Sequence, residues 1–207
     1  MEPRSAFKAF AFGAASLAVG ALTSAGPVRE LDREVFATAN RDRGPNVDRF
    51  FRGVTELGSI WASVGAAGVL AAAGRRRAAA RGLAAASVAW VAGQGLKRLF
   101  LRPRPYDADL PGSTLRIGPP NGTSWPSSHP AVLLAFVTVG SRELGASRGA
   151  RAALDIMTGA VGLSRVYVGV HYPSDVAGGL LLGKSVAAAF ESEGRSGGSG
   201  DRTRTRG

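Results

Sequence analysis

A chain of 207 residues is long enough to bury one core, and its lack of cysteine excludes a disulfide framework, a thiolate metal site and a thiol nucleophile. A net charge of +11 and a pI near 11.4 would suit nucleic acid, but the arginines stand beside apolar runs rather than among aromatics, so no nucleic-acid partner is expected. The mean hydropathy of +0.05 conceals Ala- and Gly-rich apolar blocks alternating with charged ones, a composition suited to close helix packing in lipid.

A bilayer core takes about 20 mostly apolar residues per helix. Six stretches are predicted to span: Ala9–Ala25, Leu57–Ala73, Gly82–Leu101, Pro130–Val139 (continuing to Leu144), Ala152–Val170 and Pro173–Phe190. The first ends in Thr23-Ser24-Ala25, which resembles a signal-cleavage site, yet its apolar run is long for a signal and a retained helix is expected. Residues 26–56 carry six arginines balanced by six acids. There Val28, Leu31, Val35 and Phe36, then Val47, Phe50, Phe51 and Val54, recur at helical spacing and predict short amphipathic helices in the interface. Arg4 and Lys8, then Arg75, Arg76, Arg77 and Arg81, then Arg142, Arg148 and Arg151, then the arginines of the tail all fall on one side of such a bundle. The positive-inside rule makes that side, with both termini, cytoplasmic. Residues 1–193 read as one domain and the Gly/Ser/Arg/Thr-rich 194–207 as a disordered tail. Asp155 and Lys184 lie inside spans, and an ion pair of Asp155 with Lys184 or Arg151 is expected. Gly179 and Gly183, one turn apart, predict close helix packing.

Three polar clusters fall on the outer side of this topology. In the first, Lys97 and Arg104 stand seven apart, so a continuing helix would present both on one face, although Pro103 and Pro105 would end it. An ammonium and a guanidinium fork suit a phosphate dianion. In the second, Ser127 or Ser128 caps a following helix whose free N–H groups form an anion cradle, with His129 beside it as a proton donor to a leaving oxygen. In the third, Arg165 precedes His171, and Pro173 opens a helix that sets Asp175 near its third position. From there the carboxylate reaches back to orient the His171 ring. Such a gathering of cations, hydroxyls and two imidazoles describes phosphoryl transfer.

Together the clusters resemble the signature of the type 2 phosphatidic acid phosphatase (PAP2) superfamily, which also includes bacterial acid phosphatases and vanadium haloperoxidases. Lys97, Arg104 and Pro105 match Lys-x6-Arg-Pro, and Ser164, Arg165, His171 and Asp175 match Ser-Arg-x5-His-x3-Asp. Pro126, Ser127 and His129 match Pro-Ser-Gly-His with Ser128 in place of the Gly. The resemblance covers residues 83–190. It implies an all-α, six-helix membrane bundle that hydrolyses a lipid phosphate or pyrophosphate: undecaprenyl pyrophosphate first, or phosphatidylglycerol phosphate or phosphatidate. It also implies His171 as the nucleophile, Asp175 as its activator and His129 as the acid and later base. Lys97, Arg104, Ser127, Arg165 and the Ser128 backbone N–H would bind phosphoryl oxygens. No metal or cofactor is implied, in line with the lack of a carboxylate cluster suited to Mg²⁺, and no obligate protein partner. A haloperoxidase, or a lipid-phosphate binder without turnover, would use the same constellation. A non-Gly residue at Ser128 would cost about 1–2 kcal/mol if its φ had to be positive.

Overall fold

Runs of Ala, Leu and Val punctuated by Pro, Gly and Arg fold into helices. The computed structural model describes residues 3–108, 110 and 112–193, and no strand occurs among them. The tail 194–207 lies outside the described residues. The helices are α1 (Pro3–Leu22), α2 (Gly26–Ala39), α3 (Pro45–Glu56), α4 (Ile60–Ala72), α5 (Arg76–Leu99), α6 (Ser128–Glu143), α7 (Arg148–Tyr167) and α8 (Pro173–Glu193), with a 3-10 turn at Pro105–Asp107. Pro at the first or second position opens α2 and α3, where a missing N–H costs nothing.

The central element is α6, on which α4, α5, α7 and α8 pack. All but four of its residues are buried, among them Val132, Leu133, Phe136 and Val137 in the main cluster. On the outer flank α1 lies along α8, tied by Ser16 Oγ to the Gly178 carbonyl (2.9 Å) and by Ser185 Oγ to the Ala9 carbonyl (2.7 Å).

The expected six spans are met only in part. Among the described residues one helix, Pro3–Leu22, is long and apolar enough by itself to cross a bilayer, and α3 with α4 passes as a pair bent by 63°. The second predicted span is shorter than expected: α4 has 13 residues, about 20 Å at the helical rise, because Ser59 caps it by accepting from Ala62 N (3.0 Å). α5 starts six residues before its predicted span, since Arg77 is neutralised by Glu143 of α6 (2.7 Å) and Arg81 donates to the Phe190 carbonyl (2.6 Å). The predicted Asp155 ion pair is not formed: Asp155 is exposed on α7, and Lys184 lies over the Phe12 ring (5.7 Å). The two amphipathic helices form as predicted. Phe36 of α2 packs on Tyr172 and Phe51 of α3 on Tyr167, while Leu31 and Phe50 face outward.

Gly179 and Gly183 set the distance between α6 and α8. A Cβ on Gly179 would stand 2.2 Å from the Ser127 carbonyl oxygen, and one on Gly183 2.7 Å from that of Ala131. Neither obstacle is a side chain that can turn aside. Gly179→Ala is therefore expected to destabilise by about 1–3 kcal/mol through overpacking, read as a lower Tm in detergent. Gly68→Ala, which meets open space in α4, is expected to leave the Tm level or raise it.

Candidate active site

The three polar clusters converge where α5 ends and α6 and α8 begin. Lys97 occupies the last turn of α5 and donates from Nζ to the Thr123 carbonyl (2.8 Å). The helix does not continue to Arg104. It stops at Leu99, and Pro103 and Pro105 hold Arg104 in extended backbone (φ −77°, ψ 160°). The two cations are brought together by a loop instead. Arg104 donates from Nε to the Gly122 carbonyl (2.9 Å), next in the chain to the Thr123 carbonyl that holds Lys97, and from Nη1 to that of Val170 (2.9 Å).

Ser127 stands at the N-cap of α6, but its side chain makes no cap hydrogen bond. Gly179 lets the Ser127 carbonyl approach α8, and Ser127 N donates to the Asp175 carbonyl (3.0 Å). Ser128 is the first helical residue, so no positive φ is required where the family usually has Gly. Room for the added side chain comes from Gly93 of α5, whose own Cβ would lie 3.2 Å from Ser128 Oγ. Gly93→Ala is expected to lower kcat/KM, and Ser128→Gly to restore most of the loss, a coupling of about 1 kcal/mol in a double-mutant cycle.

His171 is buried (2% exposed) on the link between α7 and α8. Its Nε2 lies 3.3 Å from Arg104 Nη1. Arginine only donates, so Nε2 is the unprotonated nitrogen and the proton sits on Nδ1, towards Asp175 Oδ2 at 3.5 Å. That gap is too long for a good hydrogen bond, and Nδ1 has no other partner; apo catalytic contacts commonly tighten only with substrate. Burial, then the charges of Lys97, Arg104 and Arg165, push the imidazole pKa well below its usual value, which favours the neutral ring. Asp175 is the third residue of α8 and reaches back as expected, accepting at Oδ2 from Tyr172 N (2.8 Å) and from Ser124 Oγ.

Lys97, Arg104, Ser128, His129, Arg165 and His171 line one cavity of 240 Å³, with Trp61, Trp90 and Gln94 towards its mouth. Ser127 and Asp175 stand behind this lining. Arg165, in the last turn of α7, donates from Nη1 to Thr55 Oγ1 of α3 (2.7 Å).

Several supports escape the sequence reading. Arg102 bridges two buried carboxylates, Asp175 through Nη1 (2.6 Å) and Asp32 of α2 through Nη2 (2.7 Å). Asp32 also accepts from Ser174 N (2.9 Å) and from Ser174 Oγ. Arg102 lies within the Lys97–Arg104 interval, and its position there was the available signal. Asp32 and Thr55 carried none, being one acid and one hydroxyl among many on amphipathic helices.

The chain matches the PAP2 superfamily over residues 77–191. It is 33% identical over 146 residues to decaprenylphosphoryl-5-phosphoribose phosphatase of Mycobacterium tuberculosis, covering 69% of this chain and 78% of that protein. The protein of the same name from Mycolicibacterium smegmatis is 32% identical over 119 residues, 58% of this chain and 62% of that one. Among solved structures, the transmembrane PAP2-type phosphatidylglycerolphosphate phosphatase of Bacillus subtilis superposes with a TM-score of 0.78 at 21% identity, covering 96% of this chain and 100% of that one. LpxE of Aquifex aeolicus superposes with a TM-score of 0.69 at 28% identity, over 77% and 93%. A match that spans all three motif stretches, shared with relatives that are phosphatases, places this chain in the PAP2 superfamily as a phosphoric-ester hydrolase.

Proposed function

We propose that this phosphatase removes a phosphate monoester from a polyprenyl-linked lipid at the extracytoplasmic face of a bacterial cell membrane, through a phosphohistidine on His171. One observation carries the reading. Ser128 Oγ and Arg165 Nε, on two residues that line the cavity, are buried with no hydrogen-bond partner. Orphaned groups of this kind cost about 1–3 kcal/mol each, and phosphoryl oxygens would satisfy them together.

The positions support the following reaction. With Lys97, Arg104 and Arg165 neutralising the phosphoryl group, the Nε2 lone pair of His171 attacks phosphorus as the bond to the leaving oxygen breaks. His129, on the same cavity, gives that oxygen its proton. The resulting N–P bond is then broken by a water that returns a proton to His129, releasing inorganic phosphate and restoring neutral His171. No metal enters this sequence of steps.

A lipid substrate is supported by the surroundings. Exposed Phe7, Phe10, Val69, Val91 and Ile156 give α1, α4, α5 and α7 apolar outer faces suited to a bilayer. Trp61, 78% exposed, flanks the mouth as interfacial tryptophans do. A groove of 630 Å³ along α5 shares Trp90, Gln94 and Lys97 with the cavity and offers a tail a path into lipid. The mycobacterial relatives point to a polyprenyl phosphoribose 5-phosphate ahead of undecaprenyl pyrophosphate, phosphatidylglycerol phosphate or phosphatidate.

The test is release of inorganic phosphate from these four lipids, in detergent with EDTA present. The polyprenyl phosphoribose 5-phosphate is expected to show the highest kcat/KM, with activity unchanged by EDTA. Turnover of phosphatidate alone, or full loss in EDTA, would overturn the reading.

A further inference from the structure

A second polar cavity, of 430 Å³, opens at the same end of the bundle, between the start of α2 and the segment that follows α5. It shares no lining residue with the catalytic cavity. Arg29 and Arg33 of α2 line it one turn apart, and Arg102 and Tyr172 complete its inner side. Among the described residues no acidic side chain lines it. Among the described residues the side chains of Arg29 and Arg33 make no ion pair or hydrogen bond, so both guanidinium groups keep their donors free. Arg102 differs, with both terminal nitrogens committed to Asp175 and Asp32. The charge of Arg33 reaches the inner side: the Tyr172 phenol, pushed up by burial, is pulled back by Arg102 and Arg33. At the rim Leu99 and Leu101 are each 75% exposed, apolar surface next to fixed cations.

Free guanidinium forks one helical turn apart fit the oxygens of one phosphate group. Isolated leucines beside them fit acyl chains. A snorkelling arginine on a flat helix face would give charge without an enclosing wall; here the charge lines a concave site. We propose that this cavity is a second anion site, distinct from the catalytic one, which takes the phosphate headgroup of an anionic membrane lipid on Arg29 and Arg33 with Leu99 and Leu101 against its chains. The consequence lies in the element that carries it. Asp32 sits between the two arginines on α2 and is held on Arg102 and Ser174. A headgroup held on α2 therefore holds the carboxylate that helps fix Arg102, and through Arg102 the Asp175 beside His171.

Phosphatidylglycerol is a suitable probe because its phosphodiester presents no monoester to hydrolyse. The full chain, purified in zwitterionic detergent, is titrated with phosphatidylglycerol, and the lipids retained per protein are counted by native mass spectrometry. Three proteins are compared: wild type, R29Q/R33Q, and R41Q/R43Q, which removes equal charge from the same outer region. Cations at a membrane surface contribute about a fivefold gain in anionic-lipid affinity each, so R29Q/R33Q is expected to bind roughly 25-fold more weakly. R41Q/R43Q should bind as wild type does. Hydrolysis of p-nitrophenyl phosphate without added lipid should be equal in all three, which shows that the variants fold. Displacement of the lipid by millimolar inorganic phosphate would identify free phosphate as an occupant of the same anion site; retention would identify the lipid headgroup. Equal binding by R29Q/R33Q and wild type, or an equal loss in R41Q/R43Q, would overturn the proposal.

Discussion

Replacing His171 by Ala is expected to reduce phosphate release from every substrate by roughly 10⁴-fold or more, because in the proposed mechanism it removes the group that forms the covalent intermediate and leaves cations that only bind. His129→Ala should behave differently, and the difference separates the two imidazoles. Loss of a general acid costs about 10²–10⁴ when the leaving oxygen needs its proton. An alkyl or sugar oxygen needs it badly, whereas p-nitrophenolate leaves well unprotonated. His129→Ala should therefore lose far more activity on a lipid phosphate than on p-nitrophenyl phosphate, and with the latter should accumulate phosphoenzyme, since water activation is lost as well. The check is steady-state phosphate release from both substrates, with acid-labile, base-stable label on the protein counted after rapid quench. Equal losses on both substrates in His129→Ala, or retained turnover in His171→Ala, would assign the roles elsewhere.

The motifs were legible because their chemistry is written in residue types rare in a membrane bundle. Two histidines in the whole chain, each within three residues of a Pro and a Ser, could be placed on one side by alternating spans alone. The helix order was legible for the same reason, from apolar runs and arginines. Span lengths were not, because composition does not register a neighbour. α5 takes in Arg77 and Arg81 since Glu143 and the Phe190 carbonyl lie across from them on α6 and α8. The prolines that end α5 before Arg104 were legible, but not how Lys97 and Arg104 meet: the carbonyls at 122–124 gather both cations with no regular structure between them. Ser128 looked like a departure in a tight turn and proves to be an ordinary helical residue facing Gly93. Least visible was the layer behind the cavity. Asp32 lies 70 residues from Arg102 and 142 from Ser174, and only the docking of α2 makes them neighbours.

That layer gives the largest expected effect on stability. Arg102 is the shared cation of two carboxylates whose side chains are 0% and 5% exposed, Asp175 and Asp32, and it stacks 4.2 Å over the Tyr172 ring. Arg102→Leu keeps the apolar contact but leaves both charges buried without their guanidinium. Breaking a buried pair in this way costs about 3–5 kcal/mol. Arg102→Lys should cost less but remain damaging, because one ammonium cannot offer separated, coplanar donors to two carboxylates on different helices. Asp32→Asn alone should be mild, since Arg102 and Asp175 then remain as a matched pair. The informative variant is Arg102→Leu with Asp32→Asn. It removes one of the two stranded charges and should recover part of the lost Tm. It cannot restore the hold on Asp175 Oδ1, so kcat should stay low while KM changes little. A Tm for Arg102→Leu equal to wild type would remove its bracing role, and recovery of kcat along with Tm in the double variant would show that Arg102 braces α2 alone and has no part in orienting His171.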